Sequence, residues 1–313
     1  MNGLGNFPFV LKPNVSALDK ALRGFAASAA WFFQDIIGQG LVNLVNSINW
    51  LLSHIPWFVL IALVFVLGWK ARGKLRSGIL YAVLLCLVGV VGLWQLMYMT
   101  LSIVLASVLI ALVLGFPIGI LIANSDRAIR LIRPVLDTMQ TMPVFVYLIP
   151  ALLFFGMGSA SAVIATVIYA IVPVIRLTSL GIRQVDEGVV EASRSFGATR
   201  RQTLFKVQIP QAMPTIMAGV NQTLMMAMAM VVTCSMIGAR GLGNEVLIAV
   251  NRTEIGRGLL SGFSVVILAV LLDRLTQGWF SDEKKKQRSL AAAKRRPSSA
   301  SNETSQGVSG SDG

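Results

Sequence analysis

Apolar residues form seven long runs along the chain, most of which are separated by polar or charged segments. The runs cover residues 55–69, 79–97, 101–123, the two halves of 138–177, 214–237 and 259–275. A bilayer-spanning helix needs about 20 mainly apolar residues, so most of these runs are long enough to cross a membrane. The run 138–177 is too long for one crossing and predicts two spans that meet at residues 156–158. The pattern therefore predicts an all-α integral membrane protein, a polytopic bundle of about seven transmembrane helices.

Residues 31–52 have a different pattern, in which apolar residues alternate with amides at helical spacing. The apolar positions are Phe33, Ile37, Leu41, Leu44, Ile48 and Leu51. This predicts an amphipathic helix, which lies either on the membrane surface or against the protein itself. Residues 1–23 contain Pro and Gly breaks and lack the charged start and apolar core of a secretory signal peptide.

The composition supports the membrane interpretation. Hydrophobic residues make up 55% of the chain and charged residues 13%, and the mean hydropathy of +0.72 exceeds what a single core could hide. In a membrane protein, a net charge of +13 indicates basic residues in the cytoplasmic loops. We therefore expect no nucleic-acid partner. Two cysteines in apolar runs and a single histidine argue against a disulfide scaffold and a metal site.

The basic residues predict how the chain is oriented in the membrane. Of the 27 Lys and Arg residues, 21 fall in the segments 70–78, 124–134 and 176–213 and in the tail after residue 273. If the chain crosses the membrane seven times, all four basic segments lie on the same side. By the positive-inside rule, that side is the cytoplasmic side. We therefore expect an outside N-terminus and a cytoplasmic C-terminus.

Three regions follow from these patterns. Residues 1–54 are expected to form an extracytoplasmic segment with the amphipathic helix, and residues 55–280 the transmembrane domain. Residues 281–313 are rich in Ser, Ala, Lys and Arg and predict a disordered basic tail, whose main role would be solubility and topology, with contact to anionic lipid as the second possibility.

The long loop at about 181–213 is the most informative segment. Residues 187–196 predict one short helix, Gly197 breaks it, and residues 199–207 predict a second helix. Pro210 and Pro214 then fit the first turn of the next span. An apolar face beside charges suggests a docking surface, and a scaffold packed on its own bundle is the alternative. The expected face consists of Ala192, Phe196, Leu204 and Phe205.

This loop resembles the EAA loop of permease subunits of ABC importers. The matching positions are Glu191, Ala192, Gly197, Val207, Ile209 and Pro210, with Ser193 in place of an alanine. The resemblance implies a type I ABC importer permease fold and a coupling helix that docks into a cytoplasmic ATPase. The coupling residues would be Glu191, Ala192, Arg194, Gly197, Ala198, Thr199, Arg200, Phe205 and Pro210.

Two further stretches, 141–150 and 236–246, are similar to those of permeases for glycine betaine, proline and related quaternary amines. The resemblance implies an importer for glycine betaine, choline, proline or related compatible solutes in the bacterial inner membrane. Its implied partners are two ATPase subunits, an extracytoplasmic solute-binding protein, a second copy of the permease and membrane lipid. An importer for methionine or carnitine is the nearest alternative.

The chain lacks the sequence G-x-x-x-x-G-K-[ST], so ATP and Mg²⁺ would be bound by the partner ATPase. We therefore expect no cofactor and no catalytic residue in this chain, which would be a transport subunit and not an enzyme. A secondary transporter would have no need of a docking loop. A membrane enzyme would need intramembrane acid or histidine clusters, whereas Asp137 and Asp273 are expected near cytoplasmic helix ends.

Aromatic faces and thioethers suit a quaternary ammonium solute. The candidate pathway residues are Trp94, Tyr98, Met142, Tyr147, Met225, Met228 and Met230. Ordinary packing is the more common role of such residues. With no intramembrane acid expected to hold a cation, we predict weak contacts in the pathway and selectivity in the binding protein.

Overall fold

The computed structural model describes residues 14–294, and every regular element in that part of the chain is helical. The elements in chain order are α1 Val15–Ser28, a π-helical stretch Trp31–Gly38 leading into α2 Gln39–His54, α3 Trp57–Arg72, α4 Leu75–Val90, α5 Trp94–Ala123, α6 Asp126–Thr141, α7 Val144–Phe155, α8 Ser159–Arg183, α9 Glu187–Ser195, α10 Arg200–Thr203, a π-helical stretch Leu204–Gln208, α11 Ile209–Thr233, a 3-10 turn Cys234–Ile237, α12 Leu242–Arg252 and α13 Ile255–Lys294.

Four helical segments in the described residues are long and apolar enough to cross a membrane, and up to six spans result if each of two bent pairs counts as one. The four are Trp94–Ala123, Ser159–Arg183, Arg200–Ile237 and Ile255–Gln277. The bent pairs are Trp31–His54 with Trp57–Lys70, at 93°, and Asp126–Thr141 with Val144–Phe155, at 99°. The all-helical membrane bundle is thus confirmed. The count falls short of seven because α4 has only 16 residues.

The predicted span 79–97 is wrong in its bounds. Helix α4 ends at Val90, and α5 begins at Trp94 after a short turn. Gly92 lies in this turn with φ +82°, in the left-handed region where glycine has no steric penalty. The turn residues Val91 and Leu93 are apolar, so hydropathy alone does not separate the two helices.

Helix α8 forms the centre of the bundle and packs against both α5 and α11. Small side chains allow this close approach, as is typical of helix packing in membranes. A Cβ atom added to Gly115 of α5 would collide with Val174 of α8, and one added to Gly219 of α11 would lie 3.0 Å from Leu177. The three helices therefore form the rigid frame on which the rest of the chain is placed.

The N-terminal helical arm packs on this frame. Leu41 and Val45 of α2 are buried in the main core cluster, and Phe33 packs on Phe154 of α7 with ring centroids 4.8 Å apart. The amphipathic helix thus rests on the protein itself along this face. Leu51, which we placed on the same stripe, is exposed. Helix α1 was not predicted; the Asn14 side chain caps it by accepting a hydrogen bond from the Ala17 N–H.

At the other end, helix α13 continues to Lys294. Residues 281–294 of the expected disordered tail are therefore helical, in agreement with the strong helix propensity of their Lys, Gln, Leu and Ala residues. Residues 295–313 lie outside the described part of the chain, as do residues 1–13 of the expected N-terminal segment 1–54.

Candidate functional site

The segment after α8 forms the short helix α9 and then α10, which are separated by Gly197 as predicted, and α10 continues without a break towards α11. Asp186 caps α9 by accepting a hydrogen bond of 2.8 Å from the Gly188 N–H. Thr199 and Gln202 form a reciprocal capping box at the start of α10. Gly197 has φ +81°, which favours glycine and turns the chain between the two helices.

The outer surface of this loop is uncovered. No residue of α9 is buried, and Glu191, Ala192 and Arg194 are exposed. Phe196 is 93% exposed and Phe205 60% exposed. Two large exposed aromatic rings on a loop with exposed charges are candidates for a protein interaction site.

Leu204 departs from the expected docking face. It is buried and joins Ile209, Ala212 and Ile216 of α11 in a separate core cluster. The sequence analysis placed Leu204 and Phe205 on one face. Adjacent side chains on a helix point about 100° apart, so one of the two faces the bundle and the other faces outward. Of the predicted face, Ala192, Phe196 and Phe205 remain exposed.

Arg183, in the last turn of α8, ties the base of the loop to the end of α5. One guanidinium nitrogen donates to the Ala123 carbonyl at 3.2 Å, and another pairs with the Asp126 carboxylate at the start of α6. The hydrogen bond and charge of Arg183 lower the pKa of Asp126 below its ordinary value. A second ion pair joins Arg176 of α8 to Asp137 of α6.

The helix that leaves the loop does not start at Pro210. Instead the chain is helical without interruption from Arg200 to Ile237, passing through the π-helical stretch. Proline has no N–H, and its ring collides with the carbonyl four residues earlier in a regular α-helix. The wider π-helical turn before Pro210 therefore accommodates the ring within a continuous helix. The expectation of a new helix start at Pro210 is thus corrected.

The stretch 236–246 lies at the opposite end of α11 and joins three helices. Ile237 accepts a hydrogen bond of 3.0 Å from the Gly158 N–H, at the turn before α8. The Leu242 N–H donates to Oγ1 of Thr100 on α5 at 2.8 Å. Gly238 and Gly241 have φ values of +87° and +146°, so these glycines allow tight backbone turns.

Two of the predicted pathway residues, Trp94 and Tyr98, lie at the bend between α2 and α3. Their rings pack edge to face with centroids 5.6 Å apart. The Tyr98 hydroxyl is 3.5 Å from the Ile55 carbonyl, which lies at the bend before Pro56. Tyr98 therefore supports a helix corner, and its ring is buried.

Tyr147 has the same role at the bend between α6 and α7. Its hydroxyl donates to the carbonyl of Met139, one of the last four carbonyls of α6, which have no partner inside the helix. Its ring packs edge to face on Tyr169 of α8 with centroids 5.8 Å apart. Met142 caps the end of α6 and is half-buried.

The predicted methionines Met225 and Met228 lie together in a third place, the wall of a cavity of about 190 Å³ between α11 and α13. Asp273 of α13 also lines this cavity, and its side chain is 14% exposed. We expected Asp273 at an exposed helix end, and its contact with the methionines was missed. Met230 is fully buried in the main core.

Several long apolar helices around a small-residue core, with an exposed two-helix loop at one end, define a polytopic membrane protein built to contact a partner. The chain belongs to the family of binding-protein-dependent transport system inner membrane components, whose model matches residues 115–279. It is accordingly a multi-pass membrane component of an ABC transporter.

Relatives at high identity cover most of the chain. The chain is 46% identical over 88% of its length to the glycine betaine/carnitine transport permease protein GbuB of Listeria monocytogenes, covering 97% of that protein. It is 49% identical over 75% of its length to the glycine betaine/proline betaine transport system permease protein ProW of Escherichia coli, covering 66% of it. The glycine betaine transport system permease protein OpuAB of Bacillus subtilis is 43% identical over 85% of the chain, with 93% of that protein covered.

Solved structures support the type I importer fold. Two inward-facing forms of the MetNI methionine ABC transporter match with TM-scores of 0.51 and 0.52. They cover 61% and 63% of this chain, and 93% and 95% of the matched chains. Sequence identities of 21% and 24% restrict this likeness to the fold.

Proposed function

We propose that the chain is the membrane-spanning subunit of an ATP-driven importer for glycine betaine or a closely related quaternary amine. Three relatives that are 43–49% identical all carry glycine betaine in their names, with carnitine or proline betaine added in two. The methionine transporter matches only in fold, which makes methionine the weaker choice. Choline and proline remain within the proposed substrate class.

The exposed loop carries the proposal that an ATPase drives transport. Its exposed aromatic residues, Phe196 and Phe205, occur on the same loop as exposed Glu191 and Arg194. The ATPase would bind ATP and Mg²⁺, while this chain would contribute the docking surface. The proposed coupling residues are Glu191, Ala192, Arg194, Gly197, Ala198, Thr199, Arg200, Phe205 and Pro210.

The proposed assembly has two permease copies, two ATPases on the cytoplasmic side and a solute-binding protein outside. Residues 1–54 would lie outside, and the loop 181–213 and the tail would be cytoplasmic, because 21 of the 27 Lys and Arg residues fall on that side. ATP would close the ATPase pair and move the docked loops, which would open the pathway outward. Hydrolysis would then reset the inward-facing state.

The test is uptake of labelled glycine betaine, choline and proline by proteoliposomes that contain the full complex. We expect uptake that requires ATP, the ATPase and the binding protein. Omission of each component in turn, and a non-hydrolysable ATP analogue, are the matched controls.

Two results would contradict the proposal in different ways. Vigorous ATP-independent uptake by the permease alone would overturn the coupled mechanism. Transport of only an unrelated solute, such as a sugar, would overturn the substrate class and leave the transporter family unchanged.

A further inference from the structure

The cavity between α11 and α13 combines an apolar wall with one acidic group. Met225, Met228 and Leu224 come from α11, and Val265 and Ala269 from α13. Asp273 is the only charged residue in its lining. A volume of about 190 Å³ is below the roughly 300 Å³ at which drug-sized pockets begin, so the cavity suits a small solute.

The Asp273 carboxylate is fixed in place by neighbouring amides. Asn221 of α11 donates to its Oδ1 at 2.9 Å, and Gln277 donates to the same atom at 2.6 Å. Both hydrogen bonds orient the carboxylate. The second oxygen, Oδ2, is 3.7 Å from Nε of Arg274, which is too long for a hydrogen bond. Oδ2 therefore retains capacity for another cationic partner.

Asn221 donates to Asp273 from outside the cavity lining, and its own amide oxygen is unpaired. Its Oδ1 atom is buried and has no hydrogen-bond partner. A buried polar atom without a partner is costly, so an unpaired amide oxygen beside a carboxylate calls for a positive or donor group nearby. The amide is neutral and its oxygen carries only a partial negative charge, so Asp273 supplies the full negative charge at this point.

We infer that this cavity is a binding site for the organic ammonium group of the transported solute, with Asp273 as the charge partner and Met225 and Met228 as the apolar contacts. Methyl groups on nitrogen present an apolar surface, which the soft thioethers accommodate without hydrogen bonds. The cationic charge that they enclose needs a carboxylate when it leaves water. The site thus contacts both parts of a methylated ammonium group.

This inference rests on the proposed function and changes one expectation drawn from the sequence. Without an acid in the membrane, we expected the permease to contribute only weak apolar contacts. With Asp273 in the cavity, the permease itself selects for positive charge after the binding protein has delivered the solute. An ammonium group could also come from a phosphatidylethanolamine head group, so the experiment separates the two sources.

The experiment measures thiol reaction rates in the full complex, in nanodiscs of phosphatidylglycerol. The starting variant is Cys86→Ala, because Cys86 is exposed while Cys234 is buried. Ala269→Cys then places a thiol in the cavity wall. Its reaction rates are measured with a trimethylammonium-ethyl methanethiosulfonate and with the neutral methyl methanethiosulfonate. Asp273→Asn should reduce the ratio of cationic to neutral rates about tenfold, which corresponds to about 1.4 kcal/mol.

Val270→Cys is the matched control, since Val270 neighbours Ala269 but lies outside the cavity lining. Its rate ratio should not respond to Asp273→Asn. In a second measurement, tetramethylammonium chloride should slow the neutral reaction at Ala269→Cys relative to equal sodium chloride. This measurement uses the intact carboxylate, so it decides the matter even if Asp273→Asn prevents assembly.

Three results would overturn the inference. They are an unchanged rate ratio in Asp273→Asn, no protection by tetramethylammonium, and protection that appears only when phosphatidylethanolamine replaces phosphatidylglycerol. Failure of the proposed function is distinguishable, because it would appear as absent glycine betaine uptake by the unsubstituted complex while tetramethylammonium protection persists.

Discussion

The backbone N–H of Leu242 donates a hydrogen bond of 2.8 Å to the Oγ1 atom of Thr100, which is 142 positions earlier in the chain. Both side chains are fully buried. The same hydroxyl donates to the Leu96 carbonyl of its own helix at 2.9 Å. A single threonine therefore fixes the loop after α11 to α5, and a Cβ added at Gly241 would collide with it.

We expect Thr100→Val to destabilise the protein by about 1–3 kcal/mol, because the Leu242 N–H would lose its partner in a buried position. The measurement is thermal unfolding of the purified protein in detergent. Ser102→Ala is the control, since the Ser102 hydroxyl donates only to the Tyr98 carbonyl of its own helix. Equal unfolding temperatures for Thr100→Val and the unsubstituted protein would show that this contact is dispensable.

Glu191→Lys and Gly197→Asp should each insert normally and stop transport. The first reverses a charge on the exposed docking surface. The second adds a carboxylate next to Phe196 at φ +81°, a backbone conformation that Asp and Asn adopt more readily than other non-glycine residues. Solute uptake and co-purification of the ATPase are the two measurements.

The controls for this prediction are chosen to match backbone and charge. Asn can adopt the same left-handed backbone conformation and is uncharged. We therefore expect Gly197→Asn to retain more transport than Gly197→Asp. Glu187→Lys reverses a charge on the same helix outside the coupling set and should retain transport. Normal uptake by both Glu191→Lys and Gly197→Asp would refute the docking assignment.

The orientation prediction places Ser16 outside and Ser299 in the cytoplasm. In a Cys86→Ala background, an impermeant thiol reagent applied to intact cells should label Ser16→Cys and leave Ser299→Cys unlabelled. Ser16 is exposed, whereas Ser299 lies outside the described residues. The reverse labelling pattern would require the opposite orientation.

The ion pair between Arg183 and Asp126 predicts a pH-dependent stability. Because the folded-state pKa of Asp126 is lowered, its contribution is fully present above the ordinary aspartate pKa of 3.8 and disappears as the pH falls through the lowered pKa. We therefore expect unfolding temperatures of Asp126→Asn and the unsubstituted protein to differ at neutral pH and converge in acid. The difference should be small, since the Asp126 side chain is 77% exposed.

A double-mutant cycle separates the pair from other effects of the substitutions. Arg183→Gln should remove the same pH-dependent contribution to the unfolding temperature. Adding Asp126→Asn to Arg183→Gln should lower the unfolding temperature little further. Arg183 also binds the Ala123 carbonyl, so Arg183→Gln should cost more at every pH. If the unfolding temperatures of Asp126→Asn and the unsubstituted protein differed by the same amount at every pH, the stabilising ion pair between Arg183 and Asp126 would be contradicted.

The sequence predicted those features that depend on local spacing. Gly197 was found because a glycine between two amphipathic stretches predicts a turn, and the positions of α9 and α10 followed from it. Helix α8, at the centre of the bundle, was predicted because its residues form a long apolar run. Such features are encoded within a few residues, so no knowledge of distant contacts was needed.

The remaining features depend on which segments meet in three dimensions. The hydroxyl of Tyr98 contacts the Ile55 carbonyl, 43 residues away, so a candidate pathway residue proved to support a helix corner. Asp273 was expected near a helix end, whereas α13 continues to Lys294, and the packing of α13 on α11 brings Asp273 to Met225 and Met228. Hydropathy also placed the boundary between α4 and α5 after residue 97 and not at residues 91–93, because the turn between the helices is itself apolar.

The uninterrupted helix from Arg200 to Ile237 has 38 residues and a length of about 57 Å. If this helix tilts as one body, a small movement at the exposed loop produces a large displacement at its other end. A tilt of about 10° at α10 displaces the far end, near Ile237, by about 10 Å. A break at Pro210 would have separated the loop from the span, whereas the helix continues through the π-helical turn. The hydrogen bonds of Ile237 and Leu242 to the α8 and α5 regions would then receive the displacement directly.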